Sequence, residues 1–437
     1  MPQSPARLPL VPLDLPTEFR DFAGKDKDAP PADTLHSSLV ALRKLGIDCR
    51  YNIFRDEYLI GGDALALNDV GELSDNAVLA LRHIVGENFG FEPSGRMMQD
   101  AVQRACTMRS FHPIKDYLAG LPRWDGFPRV DTLLPDYFNA PDTPFNRAVS
   151  RIVMMASVRR IKTPGTKFDY MTVLQSEEGY NKSSAISALY GADNFTDQST
   201  IGLNAKEVEE TLRGRWAQES PELSGIGKAD WNRLKASLSR GNDRVRRAYG
   251  RNPINALRTA MQWGTTNDDA YLRALSGMNR RFFSIDVLKL IDVAKIISDR
   301  DDIWAEAVEL EATGESVMLP EKFWADARAE RDKRTELDPW EDTLADVSER
   351  GAREARAAER EGRRSPCFEV TDDGEERISS GYLFDVIGFG EKERNTMHGA
   401  RIARVMKKQG WAGPAPLRVG GKTVKGYTRR AAWADLL

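Results

Sequence analysis

A lysine and two serines, Lys182-Ser-Ser184, follow shortly after the apolar run Phe168-Asp-Tyr-Met-Thr-Val-Leu-Gln175. Between them, Ser176-Glu-Glu-Gly-Tyr-Asn181 has the length of a loop that wraps a phosphate chain between a buried strand and a helix. In such a loop backbone N–H groups and the helix N-terminus face the phosphates. A lysine reaches the β- and γ-phosphates and the next hydroxyl takes magnesium. Lys182 and Ser183 stand at those two places, so ATP and Mg2+ are the expected ligands. Ser176, Gly179, Asn181, Lys182, Ser183 and Ser184 would line the nucleotide site. The pattern departs from G-x-x-x-x-G-K-[ST], because Ser176 and Asn181 replace the two glycines. Asn is the non-glycine residue that best tolerates positive φ. Ser176 has no such justification, and an ordinary polar strand-to-helix loop stays open as an alternative.

Phosphate transfer needs more than a loop. It needs acids at the end of a second strand, to hold magnesium and polarise the attacking water. Trp216-Ala-Gln-Glu-Ser-Pro-Glu222 supplies Glu219 and Glu222, with Ser183 and Glu219 as the expected metal partners. Gly264-Thr-Thr-Asn267 ends a third strand in an amide that can orient water or sense the γ-phosphate. Asn279-Arg-Arg-Phe282 then offers Arg280 and Arg281, whose fixed charge suits a transferring phosphoryl, in cis or from a neighbouring subunit. Taken singly these read as exposed acids, a turn and a surface pair; four in this order do not.

Two further stretches are basic. Arg244, Arg246, Arg247 and Arg251 surround Tyr249, between the acid-bearing strand and the Asn267 strand. Such a segment either grips single-stranded DNA through phosphates and stacking or meets nucleotide across a subunit interface. From Arg394 to Arg430 there are ten basic residues and no Asp or Glu, although the whole chain carries a net charge of only −3. Arg401, Arg404, Lys407 and Lys408 lie on a predicted helix, Lys422 and Lys425 on a hairpin turning at Gly420-Gly421. Helix, helix and basic hairpin resemble a winged helix contacting duplex DNA, with a protein-binding module as the alternative.

The elements that must position these groups follow from the pattern. Strands near 168–175, 215–219 and 257–264 alternate with helices starting at Lys182, Asn204 and Lys228, which argues for an α/β fold with a parallel sheet flanked by helices. Asn204 and Glu207 have capping-box spacing. The expected organisation is a disordered leader (1–33), a small α+β domain (34–110), a P-loop ATPase domain (111–305), a charged helical linker (306–364) and a winged-helix-like module (365–437). Cys49, Cys106 and Cys367 have neither disulfide-framework nor zinc spacing. No apolar run is long enough to span a bilayer, and a cytoplasmic protein without membrane partners is expected.

At this point the sequence resembles the virulence-associated protein E family of phage and prophage replication proteins. Phe111-His-Pro-Ile-Lys-Asp-Tyr-Leu, Trp124-Asp-Gly, Pro164-Gly-Thr-Lys-Phe-Asp, the Lys182 loop, Trp216 to Leu223, Asp243 to Arg251, Gly264 to Asn267 and Asn279 to Phe282 carry the likeness. That family is similar to superfamily 3 helicases and poxvirus-type primase-helicases, AAA+-like ring ATPases. The resemblance implies a hexameric, ATP-driven DNA helicase or replication-initiation ATPase of a mobile element, with host or phage replication proteins as partners. It implies Lys182 and Ser183 on phosphate and magnesium, and Glu219 or Glu222 as the catalytic acid. Asn267 would be the sensor, and Arg280 or Arg281 the arginine finger in the next subunit. The alternative is a DNA-binding replication or adaptor protein whose loop has decayed.

Overall fold

Residues 15–23, 29–224, 226–245, 253–272, 279–335 and 338–430 are described by the computed structural model. Their contacts fall into two compact units, the first extending to Arg334 except for Leu272, which belongs with the residues from Thr335 onward to the second. No helix among the described residues is long and apolar enough to cross a membrane.

The first unit begins with a small α+β layer. Helix α1 (Leu35–Lys44) is capped by Thr34, and strands β1 (Asp48–Asn52), β2 (Glu57–Gly61) and β3 (Gly71–Glu72) follow. Helix α2 (Asp75–Phe89) starts at its Ser74 cap and stops at Gly90, whose φ of 71° ends the helix in the left-handed region. Helix α3 (Gly95–Thr107) and strand β4 (Ser110–Phe111) complete the layer, whose sheet order is β3-β2-β1-β4. Leu42, Cys49, Leu81, Val102 and Cys106 form its core. Leu15 is buried in the same core, so the expected disordered leader is corrected there: an apolar side chain at 15 has a packed site to fill.

Helices α4 (Pro113–Gly120) and α5 (Pro144–Lys162) lead into the larger sheet. Its elements are β5 (Met171–Gln175), α6 (Lys182–Tyr190), β6 (Phe195–Thr196), α7 (Ala205–Leu212), β7 (Ala217–Ser220) and α8 (Lys228–Leu238). A two-stranded hairpin, β8 (Asn242–Val245) and β9 (Ile254–Leu257), precedes β10 (Met261–Thr266), β11 (Phe282–Asp286), α9 (Val293–Ala312) and α10 (Trp324–Lys333). The five strands run parallel in the order β11-β5-β10-β7-β6. The strand expected over 257–264 is thus two, because Arg258 turns inward between them and forks onto Asp243 (Nε–Oδ2 2.6 Å, Nη2–Oδ1 3.0 Å).

All five residues of β5 and all six of β10 are buried, as a sheet covered on both faces requires. One face packs its Leu174, Ala217, Trp263, Phe283 and Ile285 into a core with α5, α6 and α9. Trp216 stacks on Trp304 of α9 with ring centroids 4.2 Å apart, and Tyr190 of α6 meets both rings edge-on. The Tyr190 hydroxyl pairs with Ser157 Oγ at 2.8 Å, so the polar tip of this core aromatic is satisfied.

The second unit holds α11 (Pro339–Leu344), α12 (Val347–Arg360), β12 (Phe368–Val370), β13 (Glu375–Ser379), α13 (Ser380–Ile387), α14 (Thr396–Lys408), β14 (Ala412–Val419) and β15 (Lys422–Arg430). Its antiparallel sheet has the order β12-β13-β15-β14. The stretch 306–364, expected as a linker, is divided between cores. Ala307 belongs to the first, whereas Leu344 and Val347 pack with Phe368, Ile378, Ile402 and Trp411 in the second. Gly351 lets α12 approach closely, since a Cβ there would lie 2.7 Å from the Phe368 ring. The β14–β15 hairpin turns at Gly420-Gly421, both with positive φ (57° and 83°), matching the twist of its strands.

Candidate nucleotide site and nucleic-acid surfaces

The ends of β5, β10 and β7 place the loop, the amide and the acid at one edge of the sheet. β10 lies between the other two, paired Thr266 with Gln175 on one side and Gly264 with Ser220 on the other. The loop after β5 closes through Gly179 (φ 85°) and Asn181 (φ 62°, ψ 26°). Asn181 therefore adopts the left-handed conformation expected of it, and its Nδ2 donates to Ile291 O at 3.3 Å. A Cβ on Gly179 would meet nothing within 4 Å, so that glycine faces open space.

Lys182 begins α6 and turns its ammonium back over the loop. Nζ donates to Ser176 Oγ (2.8 Å), Ser176 O and Glu177 O (both 3.1 Å) and Asn267 Oδ1 (2.7 Å). Ser176, the least glycine-like departure, thus helps hold the lysine. Burial pushes the Lys182 pKa down, while the Glu219 and Glu178 charges oppose that shift. Ser183 Oγ donates to Glu219 Oε1 at 2.7 Å. Ser184 is exposed one residue further along the same helix turn.

Glu219 is fully buried, on the sheet face that α6 covers. Its Oε1 also accepts from Thr265 Oγ1, and its Oε2 has no hydrogen-bond partner among the described residues. Burial raises the carboxyl pKa, opposed by the Thr265 and Ser183 hydroxyls. Glu222 differs. It lies beyond β7, exposed, with φ 52°. No hydrogen bond or ion pair to another described residue ties it to the loop. Of the two acids only Glu219 meets the Lys182 helix, because Pro221 ends the strand between them.

Magnesium takes hard oxygen donors, commonly one or two carboxylates with a hydroxyl and phosphates. Ser183 Oγ and the unpartnered Glu219 Oε2 fit such an ion. No cluster of three or more His, Cys, Asp or Glu suited to a metal occurs among the described residues.

Arg280 and Arg281 immediately precede β11, whose first residue Phe282 pairs with Met171, the first residue of β5. They therefore sit at the edge of the sheet opposite the Lys182 loop, on the order of 13 Å of strand away. Within one chain they are not brought to Lys182. Arg244 is exposed on β8, whereas Arg246, Arg247, Tyr249 and Arg251 lie outside the described residues.

The C-terminal basic residues are less uniform than their sequence window. Arg401 forks onto Asp338 (Nη2–Oδ1 2.6 Å) and lies over the Trp340 ring at 3.9 Å, and Lys408 Nζ meets Glu341 Oε2 at 2.6 Å. Both are bound within their own unit, by acids from α11 and its cap. Arg404 is exposed on α14. Lys407, Lys422 and Lys425 are exposed, and none of these three has an ion pair among the described residues. On the hairpin Arg418 stands opposite Thr423 and Pro416 opposite Lys425, which puts Arg418 and Lys425 on one face.

Two groups were not singled out from sequence. Thr265 was in view as part of the Asn267 strand, but its place beside Glu219 depends on the pairing of β10 with β7. Arg334 carried no signal within a charged stretch. It is buried, pairs with Asp286 and donates to Gln175 Oε1 at 2.6 Å, tying the ends of β5 and β11 together.

A solved structure described as the apo structure of NrS-1 C terminal region (305-718) is 13% identical, with a TM-score of 0.48, over 90% of this chain and 98% of that one. Another, described as SCCmec type IV Cch, active helicase, is 10% identical, with a TM-score of 0.35, over 89% and 94%. No curated protein sequence matches. The model of the virulence-associated protein E-like domain matches residues 118–336, half of the 437-residue chain. The chain belongs to the virulence-associated protein E-like family.

Proposed function

We propose that the chain is an ATP-dependent DNA helicase or replication-initiation ATPase of a phage or integrated mobile element, working as a hexameric ring in the cytoplasm. One observation carries this reading: Lys182 and Ser183 at the start of α6, Glu219 on β7 and Asn267 just after β10, spread over 85 residues of sequence, meet at one edge of a parallel sheet. In the proposed mechanism Lys182 leaves its loop acceptors for the β- and γ-phosphates. Ser183 and Glu219 would hold a magnesium ion, which would supply charge neutralisation at the phosphates, and Glu219 polarises water. Asn267, released by Lys182, orients the water or senses the γ-phosphate.

Arg280 or Arg281 completes the site from the neighbouring subunit. Their placement at the far sheet edge supports action in trans, since neither reaches the loop of its own chain. The segment from Arg244 to Arg251 grips single-stranded DNA. The second unit is read as a winged-helix-like module on duplex DNA, with Lys407, Lys422 and Lys425 rather than Arg401 or Lys408 meeting phosphates. Host or phage replication proteins are the expected partners.

The saturated ammonium of Lys182 favours a second reading, in which the loop is inert and the protein only binds DNA. ATP hydrolysis by wild type and Lys182→Ala, with and without single-stranded DNA, separates the two. DNA-stimulated turnover lost in the variant supports the motor; no turnover in either protein leaves the binder.

A further inference from the structure

We propose that residues 288–290 form the shelf that takes the base of the bound nucleoside triphosphate, holding the ring by apolar contact rather than by hydrogen bonds to its edge. This rests on the reading of the Lys182 loop as a nucleotide site and adds where the base goes and how selectively it is held.

Leu288 and Leu290, just beyond β11, are 62% and 61% exposed. Their exposure does not come from a loose loop. Val287 N donates to Gln175 O (2.8 Å) and Leu288 N to Asn139 O (3.1 Å). Asn139, itself at φ 54°, returns a bond from Nδ2 to Leu290 O (2.9 Å). Ile291 N donates to Tyr180 O (3.2 Å), and Asn181 Nδ2 reaches Ile291 O. Val287 and Ile291 are buried at either end, 4% and 1% exposed. The strap is therefore fixed at five points, and three of them join it to the strand and loop that carry Lys182.

A rigid pair of leucines held in water beside a phosphate loop lacks an apolar partner within its own chain. A nucleoside whose phosphates lie in the loop brings one: a flat ring with two apolar faces. The strap runs Val287-Leu-Lys-Leu-Ile291 and contains no acid or amide. The nearby Asn139 amide N–H is already turned inward to Leu290 O. The shelf thus has little with which to tell adenine from guanine.

The test is equilibrium binding of ATP, GTP and inorganic tripolyphosphate, each with magnesium, to the full chain and to Leu288→Ser/Leu290→Ser. The inference expects the variant to bind ATP about tenfold more weakly and tripolyphosphate within about twofold of wild type. That second result also shows that the variant is folded. Wild type should bind ATP and GTP within about tenfold of each other. Unchanged ATP affinity, an equal loss for ATP and tripolyphosphate, or a preference above a hundredfold for one base overturns the shelf. A wild type that binds neither ATP nor tripolyphosphate overturns the nucleotide site itself, and the shelf with it.

Discussion

Replacing Glu219 by Gln should make the nucleotide-free protein more stable and the enzyme far slower. The carboxylate is fully buried, with two hydroxyls on Oε1 and nothing on Oε2. A buried charged acceptor without a partner costs about 1–3 kcal/mol, and each hydroxyl bond offsets roughly 1 kcal/mol. Gln keeps an oxygen for Ser183 and Thr265 and replaces the unpartnered charged oxygen by an unpartnered neutral amide, which costs less to bury, so the net gain is about 1 kcal/mol, or about 2 °C in melting temperature. The sign with pH follows from the raised carboxyl pKa. Above the ordinary value near 4.5 the unfolded chain sheds a proton that the folded state keeps. Wild-type stability therefore falls as pH rises from there through the folded pKa, and this fall is missing in the variant. In the proposed ATPase, where Glu219 polarises water, its loss should lower kcat by about 10²–10⁴. Thermal melts in EDTA at pH 4.5 and pH 7.5, beside single-turnover hydrolysis with magnesium, measure both. A variant that melts below wild type at pH 7.5, or hydrolyses within about tenfold of it, refutes the placement of Glu219 as the buried catalytic acid.

Other outcomes follow from the same geometry. Arg281→Ala and Lys182→Ala, each inactive alone, should regain part of their ATPase activity on mixing if the arginine acts in trans; flat activity across all ratios rules that out. Asp243→Ala strands the buried Arg258 guanidinium and should destabilise the first unit by about 3–5 kcal/mol, read by urea unfolding; a loss under 1 kcal/mol would mean that the pair is not sealed from water. Lys422→Ala/Lys425→Ala should weaken duplex binding and reduce its salt slope by roughly 2. Arg401→Ala, whose charge is held by Asp338, should leave that slope unchanged, and equal effects of the two variants would contradict the division of the basic patch.

Much of the site could be read from the chain because its parts are local. The Lys182 loop, the Asn204 cap with Glu207 and the Gly420-Gly421 turn each depend on neighbours within a few residues, and all form as expected. What could not be read depends on distant pairing. Nothing in the sequence orders the strands, so the insertion of β10 between β5 and β7, which brings Asn267 to Lys182, was not visible. The β12–β13 hairpin was missed because its strands are short, whereas helix α3 was missed although Met98, Ala101, Val102, Ala105 and Cys106 recur at helical spacing. The basic window looked unopposed only because its counter-charges, Asp338, Glu341 and Glu376, lie outside it in sequence. Glu219 and Glu222 differ by a strand's end, a boundary that composition does not mark.

The central position of β10 also makes it a push-rod. Its last residue borders the Asn267 amide that holds Lys182, and three residues separate its start from β9, one arm of the β8–β9 hairpin. Hydrogen bonds on both flanks stiffen it against bending. In the proposed motor a tug at one tip would be delivered at the other instead of dissipating sideways, which would couple nucleotide occupancy to the hairpin without any large domain swing.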